Sequence, residues 1–165
     1  MNNLVKYLVL FYVGFTTYLS IETLYRGYSF LLMGIVGGIC FLLFDKINEY
    51  IPWNLDIILQ GIIGSFIVTT FELIIGVSLK YFNLNPMWDY SMEWMNYKGV
   101  ICPLFSFLWV GLSIVGIIVA DCINYYLLWN GDRPSYKILK FIHITFPKRI
   151  CHCNCCTNGW ETYEE

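Results

Sequence analysis

The chain has 165 residues, of which 58% are hydrophobic and only 13% charged, with a formal net charge of -2. Soluble domains carry about 25% charged residues, so this composition excludes an ordinary soluble globular protein and reads as an integral membrane protein. The near-neutral charge also gives no footing for nucleic-acid binding, because the basic residues of the C-terminal segment are offset by Glu161, Glu164 and Glu165.

A membrane core about 30 Å thick is crossed by about 20 apolar helical residues, and four runs qualify. They cover Leu4 to Ile21, Tyr28 to Phe44, Leu55 to Leu79 and Val100 to Trp129. Closed barrels need alternating strands of about ten residues, and no such pattern occurs. The expected fold is therefore all-α, a polytopic bundle of about four transmembrane helices with an aromatic outer loop. The first run lacks a basic leader and a clear cleavage site, which predicts a retained helix rather than a signal peptide. The fourth run is longer than the hydrocarbon requires, so its end from Asp121 is expected to emerge into headgroups and water. Residues 1–130 form the transmembrane domain in this reading, and residues 131–165 a basic, Cys-rich tail.

Four crossings place both termini on one side. That side would hold seven of the ten Lys and Arg residues, Lys6, Lys46, Arg133, Lys137, Lys140, Lys148 and Arg149, against Arg26, Lys80 and Lys98. Positive loops stay cytoplasmic, so both termini are expected inside a bacterial cytoplasmic membrane.

Lipid offers no hydrophobic reward for helix association, so small residues must bring backbones together. The third run offers Gln60, Gly64, Glu72 and Gly76 on one four-residue row, interrupted by Val68, with Gly61, Ser65 and Thr69 beside it. Gly34 and Gly38 share that spacing in the second run, with Gly37 between them, and the fourth offers Ser113, Gly116 and Ala120. These are packing positions facing protein rather than lipid.

Glu72 is different, because an ionisable group inside a span is costly and faces a partner or a water-filled cavity. It falls toward the outer half, with Glu22, Arg26, Lys80 and Asp89. Glu22 and Arg26 stand in the favourable order for an ion pair one helical turn apart. Two readings stand side by side: an ion-pair network, with Glu72 on Arg26 or Lys80, that anchors the outer loop, or a proton, ion or substrate site.

That loop, "NPMWDYSMEWMNYKG" over residues 85–99, holds two Trp, two Tyr, three Met and three charged residues. Tyr81, Phe82, Trp88, Tyr90, Trp94 and Tyr97 suit a membrane–water interface, where the ring sits in lipid and its polar edge in water. Pro86 prevents a helix from running through, and Asp89 or Ser91 can cap a local turn. A lid and a loop lying flat on the headgroups both fit.

"NPMWDYS" followed by "NYKGVICPLFSFLW", together with "IETLYRG", Gly37 and Gly38, "NEYIPW" and "FELIIG" in the same order, resembles the bacterial membrane family labelled putative ABC-transporter permease, of the CmpB type. The resemblance covers roughly residues 4 to 136. Short members resemble proteins carried by clostridial phages and prophages. It implies key positions at Glu22, Arg26, Glu72, Trp88, Asp89, Tyr90, Ser91, Asn96, Gly99 and Trp109.

The end of the chain, "HITFPKRICHCNCCTNGWETYEE", departs from that pattern. Cys151, Cys153, Cys155 and Cys156 are weak metal candidates, since one tight cluster does not wrap a tetrahedral ion as spaced ligand pairs do. A tail whose basic residues touch anionic lipid is the simpler reading, and no cofactor is expected. No phosphate-binding P-loop sequence occurs, so ATP-driven work needs a separate ATPase, and no histidine falls in the bundle to serve a nucleophile. The chain is expected not to be an enzyme but a transport-associated subunit in the lipid bilayer, joined to further copies of itself or to another membrane protein. The alternatives are a holin-like pore and a structural partner of a cell-envelope enzyme.

Overall fold

The computed structural model describes residues 3–51, 55–139 and 141–149. Among these described residues four helices run up and down in chain order: α1 (Asn3–Arg26), α2 (Leu31–Tyr50), α3 (Ile57–Tyr81) and α4 (Pro103–Cys122). A π-helical turn, Ile123–Leu127, continues α4, and a two-stranded antiparallel hairpin of β1 (Ser135–Ile138) and β2 (Ile142–Thr145) follows. Among the described residues three helical segments are long and apolar enough to cross a membrane, namely α1, α3 and the continuous Pro103–Leu127. The chain is therefore membrane-embedded. The remaining expected span, α2, is a 20-residue helix whose last turns carry Asp45, Lys46 and Glu49.

Local chemistry sets the helix ends. Gly27, at φ +81°, stops α1 in a conformation other residues resist, and Ile51, which precedes Pro52, is extended at the end of α2. The Asp56 side chain accepts from the Ile58 amide at 2.9 Å and so caps α3. Pro103 occupies the first turn of α4, where a missing N–H costs nothing.

The helices associate as two close pairs, α1 on α2 and α3 on α4, joined chiefly through α2 and α4. Glycines permit this approach. A Cβ on Gly37 would stand 2.4 Å from the Cβ of Tyr18, and one on Gly64 would stand 2.6 Å from that of Ser113. Gly34 lies against Phe15, Gly38 against Phe11, and Gly116 against the Phe44 ring. Gln60 is fully buried, and the adjacent row is tied to α4 by hydrogen bonds from Ser65 Oγ to the Ser106 carbonyl (2.6 Å) and from Thr69 Oγ1 to Ser106 Oγ (3.3 Å). The row ends differently: Gly76 receives Val100 of the following loop rather than a helix.

The segment after Gly131 is more than a polar tail. Tyr136 of β1 is buried, and its hydroxyl donates to Asp121 Oδ2 at 2.6 Å. Asp121 thus does not emerge into water as its charge suggested; it is buried because the hairpin supplies a donor. Burial, and then the nearby Asp121 charge, push the Tyr136 hydroxyl above its ordinary pKa, which keeps it a donor. The Arg149 guanidinium lies 4.5 Å over the Tyr125 ring and holds the end of the described chain to the bundle.

Candidate functional site

At the end of the bundle where α1 and α3 finish, residues 82–102 fold into a structured lid. Asp89 accepts from the Ser91 amide (2.9 Å) and from its hydroxyl (3.0 Å), a local turn that Asx side chains favour. The Ser91 amide, then its hydroxyl, hold the Asp89 carboxyl below its ordinary pKa. The Tyr90 amide donates to the Gly99 carbonyl at 2.9 Å. Asn96 closes the loop by donating to the carbonyls of Ser91 and Glu93 and accepting from the Gly99 amide at 2.9 Å. Gly99 is at φ +65°, and a Cβ there would come within 2.9 Å of Asp89 Oδ1. Trp88 donates its indole N–H to the Val100 carbonyl at 2.8 Å, and Val100 is 2% exposed against Gly76.

The lid reaches the bundle through Tyr90, whose hydroxyl donates to Glu72 Oε1 at 3.1 Å. The Tyr90 ring stacks on Phe105 of α4 at 4.4 Å and 18°. Its hydroxyl is pushed above the usual range by burial first and by the Glu72 charge second, so it stays protonated and donating. A second tie comes from α1, where Arg26 bonds Glu22 (2.7 Å) and the Met87 carbonyl (2.6 Å), and Ser29 also donates to Glu22. Lys80 donates to the Lys98 carbonyl.

The polar cluster expected at this end is thus divided. Glu22 and Arg26 pair as their spacing predicts, but Glu72 meets neither Arg26 nor Lys80. The reason is geometric: Arg26 is held by Glu22 and the loop backbone, and Lys80 is held by the loop at the last turn of α3. Asp89 is exposed and serves the loop's own turn. Of the aromatics expected at the interface, Tyr81, Phe82, Trp94 and Tyr97 are exposed, whereas the Trp88 indole and the Tyr90 hydroxyl are engaged within the protein.

Beneath the lid lies a cavity of about 140 Å³ bounded by all four helices. Glu72 is 5% exposed at its wall. Trp109 stacks on Tyr18 of α1 at 6.0 Å, and its indole N–H faces Glu72 without reaching hydrogen-bonding geometry. Ser113 Oγ, on the same wall, is buried with no hydrogen-bond partner among the described residues. Of the positions implied by resemblance, Glu72, Trp88 and Trp109 line this cavity, Tyr90 reaches it only through its bond to Glu72, and Asp89, Ser91, Asn96 and Gly99 shape the lid.

A second polar cluster, at the opposite end, escaped the sequence reading. Lys6 Nζ lies 3.0 Å from Asp45 Oδ2, with both side chains buried, and Asn124 donates to Asp45 Oδ1. Lys46 donates to the Tyr7 hydroxyl at 2.8 Å. The available signal was antiparallel order: a base near the start of the first run and an acid at the end of the second fall at the same depth. Among the described residues no group of His, Cys, Asp and Glu is arranged to hold a metal ion. The candidates Cys151, Cys153, Cys155 and Cys156 lie outside the described residues.

A family model described as Putative ABC-transporter type IV matches residues 7–147. The match continues beyond residue 136, where the recognised motifs end, and takes in the hairpin. No curated protein and no solved structure matches the chain.

Proposed function

The chain belongs to the family described as Putative ABC-transporter type IV, and from that premise we propose that it is a non-catalytic, transport-associated subunit of a bacterial cytoplasmic membrane. In this reading all four helices cross the bilayer, both termini are cytoplasmic, and residues 82–102 form an aromatic outer lid. The chain works with a partner, either further copies of itself or a separate ATPase.

The hydrogen bond from Tyr90 to Glu72 carries the reading, because it latches the lid to an acid inside a spanning helix at the edge of a cavity. An intramembrane acid facing a cavity marks a substrate or ion path more often than a packing position. The polar row of α3 supports a sealed bundle, since Ser65 and Thr69 bond to α4 rather than line a wet channel. The test is to induce the chain alone in bacteria and record membrane potential, with and without a co-expressed endolysin. The potential should hold and the endolysin should stay inside. Abrupt depolarisation with endolysin-dependent lysis would replace the transport reading by a holin-like one.

A further inference from the structure

The acids buried or half-buried within the bundle are not satisfied alike, and Asp121 at the far end of α4 is held by Tyr136 of the hairpin. Glu22 pairs with Arg26 and Asp45 with Lys6. Glu72 forms no ion pair among the described residues; the Tyr90 hydroxyl donates to it, and the Trp109 indole N–H faces it beyond hydrogen-bonding geometry, both neutral groups. Neutral neighbours do not offset a negative charge, and a carboxylate in a membrane interior is costly without a cation nearby. The cavity in front of it is otherwise apolar except for Ser113 and Thr17, and the rings of Tyr18, Trp88 and Trp109 stand on its walls. Aromatic faces with an acid make the usual recognition surface for ammonium groups.

The cavity also has a lateral side. Because α1 packs chiefly on α2, and α4 on α3, the wall between α1 and α4 is thin. Ile21 (40%) and Val115 (57%) line the cavity yet remain exposed on the outer surface of the bundle. At about 140 Å³ the space falls below the roughly 300 to 1,000 Å³ of sites that enclose a drug-sized ligand. It encloses a headgroup and leaves the rest of the molecule outside.

We propose that this cavity binds a lipophilic ammonium cation, its head between Glu72 and the rings of Tyr18, Trp88 and Trp109, its apolar tail leaving for the bilayer between α1 and α4. This deepens the transport reading by naming a substrate class. The head can belong to a free amphiphile or to a choline-type lipid.

The test is equilibrium binding of radiolabelled dodecyltrimethylammonium to the full chain in phosphatidylethanolamine–phosphatidylglycerol nanodiscs. Saturable binding is expected, displaced by unlabelled cation but not by dodecyl sulfate of the same chain length. Glu72→Gln should weaken it at least about tenfold and Glu72→Asp should largely retain it, in line with the worth of a desolvated charge contact. Val115→Trp changes a lipid-exposed position and should block entry in a folded protein, so it decides the matter even if Glu72→Gln fails to fold. Displacement by phosphatidylcholine would assign the head to a lipid, and its absence to a free cation. No saturable binding, equal displacement by dodecyl sulfate, or unchanged binding in either a folded Glu72→Gln or a folded Val115→Trp variant would overturn the proposal. Binding is measured without transport, so a chain that binds the cation but lyses cells keeps this inference and loses the transport reading.

Discussion

Tyr90 and Glu72 are 18 residues apart, and their side chains join the lid to the middle of the bundle at 3.1 Å. The bond fixes which face of the loop turns inward. With Tyr90 stacked on Phe105, one residue ties α3, α4 and the lid together.

Removing the Tyr90 hydroxyl leaves a buried carboxylate short of a donor. Hydrogen bonds to charged groups contribute about 1.5 to 3 kcal/mol, so Tyr90→Phe should lower stability by about that much. Glu72→Gln keeps an acceptor and should cost less. In thermal unfolding in detergent, the double variant should lose less than the two single losses added together; additive losses would show that the two side chains are not coupled.

The Lys6–Asp45 pair predicts a different pattern at the other end. Both side chains are buried, and breaking a buried pair by removing one partner costs about 3 to 5 kcal/mol. Lys6→Met or Asp45→Leu alone should therefore destabilise more than the two together. If the double variant is the least stable of the three, the pair does not hold α1 against α2.

The proposed topology is tested most sharply on α2. Tyr28 and Tyr50 flank it and are both exposed. Cysteines placed there, in a chain lacking its native cysteines, should react with an impermeant maleimide from opposite sides of the membrane, Tyr28→Cys from outside. Labelling of both from one side would mean that α2 does not cross.

Much of this architecture was legible in the sequence because it rests on run length and local chemistry. Apolar runs located the helices, and the Glu22–Arg26 pair followed from one-turn spacing. Pro86 and Gly99 marked the loop, but its shape was not legible. Whether Tyr90 turns inward while Trp94 stays exposed depends on the hydrogen bonds of Asp89 and Asn96 together with the packing of Val100 on Gly76, a contact between residues far apart in the sequence. The Lys6–Asp45–Asn124 cluster was hidden for another reason. Its members lie at the edges of separate apolar runs, where charge is ordinary, and only three-helix packing makes them partners. The hairpin was missed because its two strands are four residues each, too short for a periodic signal, and Tyr136 finds its acceptor on α4.

The central claim is that Tyr90, by bonding Glu72, holds the lid closed over the cavity. Cys40 lines that cavity and is buried, so it reports on opening when it is the only cysteine left in the chain. Its reaction with a water-soluble thiol reagent should be slow in the wild-type background. Loss of about 1.4 kcal/mol of latch energy corresponds to tenfold in an opening equilibrium, so Tyr90→Phe should speed the reaction by about that factor, while Trp94→Ala on the exposed face of the lid should leave it unchanged. Equal rates in the Tyr90→Phe and unaltered backgrounds would contradict the latch.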